Sequence, residues 1–438
     1  MNKSADSPAD FPVDEQLMSF IWQSRFISKS VMQSVQGDSL KVMHTGLLNR
    51  DQGPDFCLAR VDIGGTMFAG HVELHVKTSD WLRHGHSRDP TYGGVILHVV
   101  WIHDLPEPVP VNVPLLVLSK QISRDQLEVM GRIMDEKQEF ACASYLADTN
   151  PMVVRQQWEM ALVERLENKH KRILNLLVRH TFHWEQVTLF LIAGYLGAPV
   201  NQLPLQMIAE RFPWQGVGRL RDNPLLAESV LFGMSGLLDK TYQDDYPRIL
   251  QKEWLYQKKR LSLTPLQGQP MYFLRMRPAH FPGLRIAQLA ALFINGSQLF
   301  QSIIEADSPS DLYPLLIYPV HAYWKSHYHF DLNAPEMDRR LGKRQADIIL
   351  INALVPLVFS YGKCRDDDRF LQKAIVWLES IRPEQNFITR LWQKSNFRAV
   401  DSLQTQGMIG QYLSFCKPRR CWECRVAHSA CDSHSANL

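Results

Sequence analysis

GPDFCLARVDIGGTMFAGHVELHVK, residues 53–77, is the stretch on which the fold turns. From Cys57 to Ile63 the residues alternate, with Leu58, Val61 and Ile63 apolar and Arg60 and Asp62 between them. Gly64-Gly65 follows, a pair suited to the positive φ angles of a two-residue hairpin turn. Met67 to Lys77 resumes the period of two through Phe68, Val72, Leu74 and Val76, so the spacing predicts two antiparallel strands. Further along, Val95-Ile96-Leu97-His98-Val99-Val100-Trp101-Ile102 is apolar and rich in β-branched residues, the pattern of a central strand buried on both faces. A polar, His-rich segment from Thr78 to Tyr92 separates it from the hairpin. Leu40 to Met43 and Leu115 to Leu118 read as flanking strands, and Asp14 to Ser28 as a helix with Leu17, Phe20, Ile21 and Trp22 on its apolar stripe. The expected fold class for residues 1–120 is therefore α+β (α/β) with a central mixed sheet.

Beyond residue 120 the signal turns helical. Val154–His180 carries Trp158, Leu162, Leu166, Ile173 and Leu177 at helical spacing. Further helices are expected near Glu185–Tyr195, Leu225–Leu238, Tyr246–Leu261, Leu284–Ile304, Arg344–Phe359 and Asp366–Ile381, with proline-containing breaks between them. The division that follows is an α/β domain over 1–120, a large, mainly α-helical region over 121–410, and a cysteine-rich tail over 411–438. A chain of 438 residues suits two or three domains, and 45% hydrophobic content can build their cores. Net charge is +3, from 48 basic and 45 acidic residues, which neither demands nor excludes a nucleic-acid partner. No apolar run of about 18 residues occurs and Met1–Phe11 lacks the pattern of a secretory leader, so the expectation is a cytoplasmic protein without a membrane span. Phosphate-binding P-loops, dinucleotide fingerprints and nucleophile elbows are absent from the sequence, and nothing in it sets an oligomeric state.

The chemistry concentrates between Asp55 and His98. Glu73, His75 and Lys77 alternate with Leu74 and Val76 and so share one face of their strand. Charged and imidazole groups on one face are costly in a core and reasonable beside a hydrated cation. Asp55 and Glu73 on neighbouring strands are what a hard cation, Mg²⁺ or Mn²⁺, requires. A nearby imidazole or ammonium group then positions water or stabilises charge on phosphorus. His84, His86, Asp89 and His98 could add a third ligand or a general acid. The bland alternative is a hairpin with a hydrated polar face, and His98 satisfied inside the sheet.

Pro54-Asp55 followed by Glu73-Leu74-His75 resembles the PD-(D/E)XK nuclease superfamily, in which an Asp after a Pro opens one strand, a Glu-X-Lys sits on the next, and a helix and a further strand follow. The resemblance implies a nuclease-like fold and Mg²⁺-dependent cleavage of DNA or RNA. His75 stands where that superfamily carries Lys, and Lys77 has the same facing but lies about 7 Å further along the strand. The chain is also similar to a bacterial family catalogued as domain of unknown function 2851. That likeness rests on Gly53-Pro54-Asp55-Phe56, Gly70-His71-Val72-Glu73-Leu74-His75, Ser79-Asp80-Trp81, His84-Gly85-His86, Asp89, Tyr92 and Val95–Val100. It continues through Arg275-Met276-Arg277-Pro278, Phe281-Pro282, Arg285–Leu289, Tyr412 and the Cys416/Cys421/Cys424 group.

Four of the seven cysteines lie in the last 23 residues, as Cys416-x₄-Cys421-x₂-Cys424-x₆-Cys431. Such a group can close around Zn²⁺ or a [4Fe–4S] cluster, with His428 or His434 as alternative fourth ligands favouring zinc. Lys417, Arg419, Arg420 and Arg425 surround these thiols and are expected to lower their pKa values and to contact phosphate. Arg275, Arg277 and Arg285, just before an expected helix, are candidates for a nucleic-acid backbone, although an ordinary proline-rich connection whose arginines pair with carboxylates is the slightly favoured reading. The leading expectation is a metal-dependent nuclease-like protein. Its rivals are a nucleic-acid-binding protein that keeps the fold without cleavage, and a different metal protein using Zn²⁺ or Mn²⁺.

Overall fold

The structure is a computed structural model that describes residues 8–23, 27, 31–49, 52–106, 113–135, 140–143, 146, 149–214, 217–266 and 271–429. The chain divides into two compact units. Unit 1 comprises Met1–Leu162, Phe387–Arg398 and Gly407–Leu438; unit 2 comprises Val163–Asn386 and Ala399–Gln406. Residues 1–120 and the described part of 411–438 thus fall in one compact unit. The boundary at Leu162/Val163 lies inside the long helix Pro151–Arg179.

Unit 1 is built on the expected mixed sheet. Its strands are β1 (Val31–Gln33), β2 (Ser39–His44), β3 (Leu47–Leu48), β4 (Phe56–Ile63), β5 (Thr66–Lys77), β6 (Val95–Ile102) and β7 (Leu115–Val117). They lie in the order β1-β2-β4-β5-β6-β7, with β3 beside β4. Pairings from β1 to β5 are antiparallel, whereas β5, β6 and β7 run parallel. β6 is flanked by β5 and β7 and buried on both faces, which is why its sequence is apolar almost throughout. Helix α1 (Glu15–Gln23) packs against β5 and buries Leu17, Met18, Phe20, Ile21 and Trp22. Each such large side chain contributes roughly 1.5–3 kcal/mol of transfer free energy.

One detail of the alternation differs from the sequence reading. Leu58 is exposed, while Phe56 and Ala59 face the core. The register slips between Phe56 and Ala59, and Leu58 takes a positive φ of 59°. This β-bulge turns Leu58 outward and re-aims the chain that precedes it, which holds Asp55. At the β5–β6 crossing only glycine fits at position 70: a Cβ there would lie 2.4 Å from Ile96 Cγ2 and 2.6 Å from the Gly94 carbonyl.

Unit 2 is mainly helical, as expected, with a two-stranded sheet of His327–His329 and Leu332–Asn333, and three of its features depart furthest from the sequence reading. An additional helix, Gln202–Arg211, packs against Trp184–Gly197. The single helix expected over Leu284–Ile304 is two, Pro282–Asn295 and Leu299–Glu305. Asn295-Gly296 ends the first, and Gln298 in the left-handed region opens the second. The third departure lies within Lys343–Arg365, where a π-helical turn, Leu350–Leu354, precedes Pro356. Pro356 has no N–H to give to the Asn352 carbonyl, and Lys169 Nζ donates to that oxygen instead at 3.3 Å. Among the described residues, Lys343–Arg365 is the segment long and apolar enough to cross a membrane, and most of it is buried inside unit 2.

Candidate metal centre

The site is assembled by β4, β5, β6 and the crossover between β5 and β6. Glu73 and His75 share a face of β5, and Glu73 lies directly beside His98 of β6 in the parallel register. The crossover begins with α2 (Asp80–Arg83), whose Asp80 is buried and accepts the Lys77 backbone N–H at 3.1 Å. Asp104, after β6, accepts from the Ser79 backbone N–H and hydroxyl at 3.0 and 2.7 Å, tying the start of α2 to the far strand. Trp81 thereby lies over the face, with its ring centroid 4.9 Å from that of His98. Gly85, at φ 75°, turns the chain back so that His86 stacks on Tyr92 at 3.8 Å.

The carboxylates interlock. Leu74 N–H donates to Asp55 Oδ2 at 2.8 Å, and Asp55 N–H donates to Glu73 Oε2 at 3.0 Å. The other Glu73 oxygen lies 3.3 Å from His86 Nε2 and 3.7 Å from His75 Nε2. Imidazoles continue the chain: His75 Nδ1 meets His98 Nε2 at 3.0 Å, and His75 Nε2 meets His84 Nδ1 at 3.1 Å. One ligand atom each from His75, His84 and His86 lies within 4.8 Å of the others. His75 and His98 are buried, and His84 is exposed, so the cluster reaches the surface.

The only lysine or arginine charge acting on His75 among the described residues is that of Arg83, which lowers it. Burial, then the Asp55 charge, pushes Glu73 up to about 8, and burial pushes Asp55 up to about 6. Burial, aided by the neighbouring imidazoles, holds His75 down at about 4 and His98 at about 3, so both are neutral at pH 7. Among the described residues no lysine or arginine pairs with Asp55 or Glu73. His86 Nε2 is buried and makes no aligned hydrogen bond, although a carboxylate oxygen faces it. His75, His84 and His86 form a group that could hold a metal ion, and one Glu73 oxygen lies beside two of them.

A family model described as "Protein of unknown function (DUF2851)" matches residues 15–387. The chain belongs to this family. The match includes every residue of the N-terminal cluster and stops short of Cys416. No curated protein and no solved structure matches the chain.

Of the residues expected to act together, Asp55, Glu73, His75, His84, His86 and His98 are assembled. Two stand apart. Lys77 is exposed, and its charge acts on Asp104 at the end of β6. Asp89 caps the turn at Thr91, accepting its N–H at 2.9 Å, and acts on the site through its charge on His86 and Tyr92. The sequence reading missed Glu15, in the first turn of α1, whose charge raises both Asp55 and Glu73. No local motif marks Glu15; the packing of α1 on β5 brings it there.

The other candidates are distributed differently from expectation. Arg275 and Arg277 are exposed, but Arg285 is buried within Pro282–Asn295. Its guanidinium donates to Gln288 Oε1 at 2.8 Å and meets His280 Nδ1 at 2.8 Å, so the three arginines present no common surface. Cys421 and Cys424 are buried, Cys416 is half-buried, and Cys431 and His434 lie outside the described residues. The Arg419 charge lowers Cys421 as expected, but it does not prevail. Burial dominates, raising Cys416 and Cys424 and taking Cys421 up to about 12, while Arg420 is spent on Glu423 and the Ser414 carbonyl.

Proposed function

We propose that the N-terminal site hydrolyses phosphodiester bonds in DNA or RNA with the help of a divalent cation. The observation that carries this reading is the cluster of His75, His84 and His86, whose ligand atoms lie within 4.8 Å of one another, with Glu73 Oε1 3.3 Å from His86 and 3.7 Å from His75 and Asp55 tied to Glu73 through its backbone N–H. The strand succession supports it. An Asp opens one strand, a Glu lies on the hairpin partner, and a short helix and a parallel strand follow, the order described above for PD-(D/E)XK nucleases.

Asp55, Glu73 and His86 would hold the cation. The imidazole content favours Mn²⁺ or Zn²⁺ over Mg²⁺, which prefers an all-oxygen shell. When bound, the cation supplies Lewis acidity toward a phosphoryl oxygen. His75 stands where the superfamily carries Lys and, being uncharged, does not lend charge. Its two ring nitrogens face His98 Nε2 and His84 Nδ1, so it would orient His84 rather than meet water itself. Exposed His84 would take the proton from water and release it to solvent.

The test is incubation of the full chain with end-labelled single- and double-stranded DNA and RNA, with Mg²⁺, Mn²⁺ or Zn²⁺. Cleavage that requires the cation and falls at least ~100-fold in Asp55→Ala and Glu73→Ala supports the reading. Binding without cleavage, unchanged in both variants, would replace it with the non-catalytic alternative.

A further inference from the structure

Cys142 stands 274 positions before Cys416 in the sequence and carries no motif of its own. In unit 1 it lines the same small cavity as Cys416, Cys421 and Cys424. Three features prepare that cavity. First, the turn holding Cys142 is anchored by buried Phe140, whose ring packs 4.7 Å from Trp392. Second, helix Ser402–Gln411 passes into a π-helical turn, Tyr412–Cys416, which rotates Cys416 relative to the helix that leads to it; such turns recur at functional sites.

The third feature is a shell of donors aimed at sulfur. Buried Gln411 Nε2 lies 3.2 Å from Cys424 Sγ and 3.7 Å from Cys416 Sγ. Gln411 is itself held by Gln157, whose Nε2 donates to Gln411 Oε1 at 2.9 Å and whose Oε1 accepts the Arg425 N–H at 3.1 Å. Backbone N–H groups of Val426 and Ala427 also point at the Cys424 sulfur. A neutral thiol is a weak acceptor; binding of a metal, which releases the thiol proton, would give these three donors a charged sulfur to meet and the buried thiolate its cation.

We propose that Cys142, Cys416, Cys421 and Cys424 are the four ligands of one thiolate-bound metal centre, with Cys142 rather than Cys431 completing the set. Iron in a [4Fe–4S] cluster and tetrahedral zinc share this ligand chemistry. The centre joins the segment around Cys142 to the C-terminal segment, and the 3₁₀ turn at Cys421–Glu423 rests on α1. It is independent of the N-terminal cluster and of any activity there.

The experiment is metal and sulfide analysis, with an absorption spectrum, of full-length protein purified anaerobically from cells supplied with iron and zinc. Iron with labile sulfide and a brown colour bleached by dithionite identifies a cluster; zinc in a colourless protein identifies a single ion. Either supports the proposal if Cys142→Ser loses most of the metal while Cys431→Ser and Cys364→Ser keep it. Metal retained in Cys142→Ser, lost in Cys431→Ser, or absent from the wild type overturns it. Because Cys142→Ser can fail to fold, wild-type protein is also alkylated before and after chelation. Protection of Cys142 that disappears with the metal supports the proposal, and equal labelling in both states refutes it.

Discussion

Replacing Glu73 by Gln should stabilise the metal-free protein and abolish its stabilisation by cations. In the folded chain the Glu73 carboxyl is lifted from 4.5 to about 8 by burial and by the Asp55 charge. The fold therefore prefers the protonated form. Below about pH 4.5 the folded and unfolded chains both hold the proton and nothing is lost. As pH rises the unfolded chain releases it first, so stability falls until about pH 8. At about 1.4 kcal/mol per tenfold, the full span amounts to about 5 kcal/mol; relaxation and water entry reduce it, leaving about 2–5 kcal/mol. Glutamine keeps the oxygen that accepts the Asp55 N–H at 3.0 Å and removes the charge. At pH 8 its melting midpoint should rise by roughly 5–10 °C in chelator. Mn²⁺ at a hundred times its dissociation constant adds about 2.7 kcal/mol to the wild type and should add almost nothing to the variant. Wild-type affinity should also climb between pH 6 and 8, because binding displaces protons held by Asp55 and Glu73. Differential scanning calorimetry at several pH values, with chelator or Mn²⁺, measures all three quantities. A variant that melts lower than wild type in chelator, yet responds to Mn²⁺ as wild type does, would refute the reasoning.

Three further outcomes are expected. His98→Asn, which removes the ring against His75 Nδ1, should lower cleavage about 10–100-fold with little change in substrate binding, as steady-state kinetics would reveal; equal activity would remove His98 from the positioning of His75. Glu228 is buried in unit 2 and pushed up to about 7, so it too costs stability as pH rises from about 4.5 to 7; Glu228→Gln should flatten the urea-midpoint profile in that window by about 2–3 kcal/mol, and a profile parallel to wild type would contradict this. Gly233→Ala would place a Cβ 2.0 Å from Trp254 Cδ2, where helices Pro224–Met234 and Asp245–Arg260 cross. A loss of about 3 kcal/mol or more should appear in denaturant unfolding, and an unchanged midpoint would show that the crossing can open.

Five of the seven strands, the order of most elements and the location of the cluster were legible in the sequence; β1 and β3 were not. Local periodicity sufficed because β6 is buried on both faces and the β4–β5 turn is a glycine pair, so hydrophobic burial and turn chemistry select the same strands. It also identified Asp55, Glu73 and the histidines, since alternation alone puts Glu73 and His75 on one face of β5. Where pairing between distant segments decides the outcome, local pattern is silent. The bulge that exposes Leu58 arises from the register with β5, and the break at Gly296 from a competition between helix propagation and capping. Lys77 shares the facing of Glu73 but ends beside Asp104, because distance along a strand separates groups that alternation unites. Glu15 and Cys142 enter their clusters through packing of segments far apart in the chain. Burial, another tertiary property, outweighs the basic neighbours of the cysteines and raises the thiols that local charge was expected to lower.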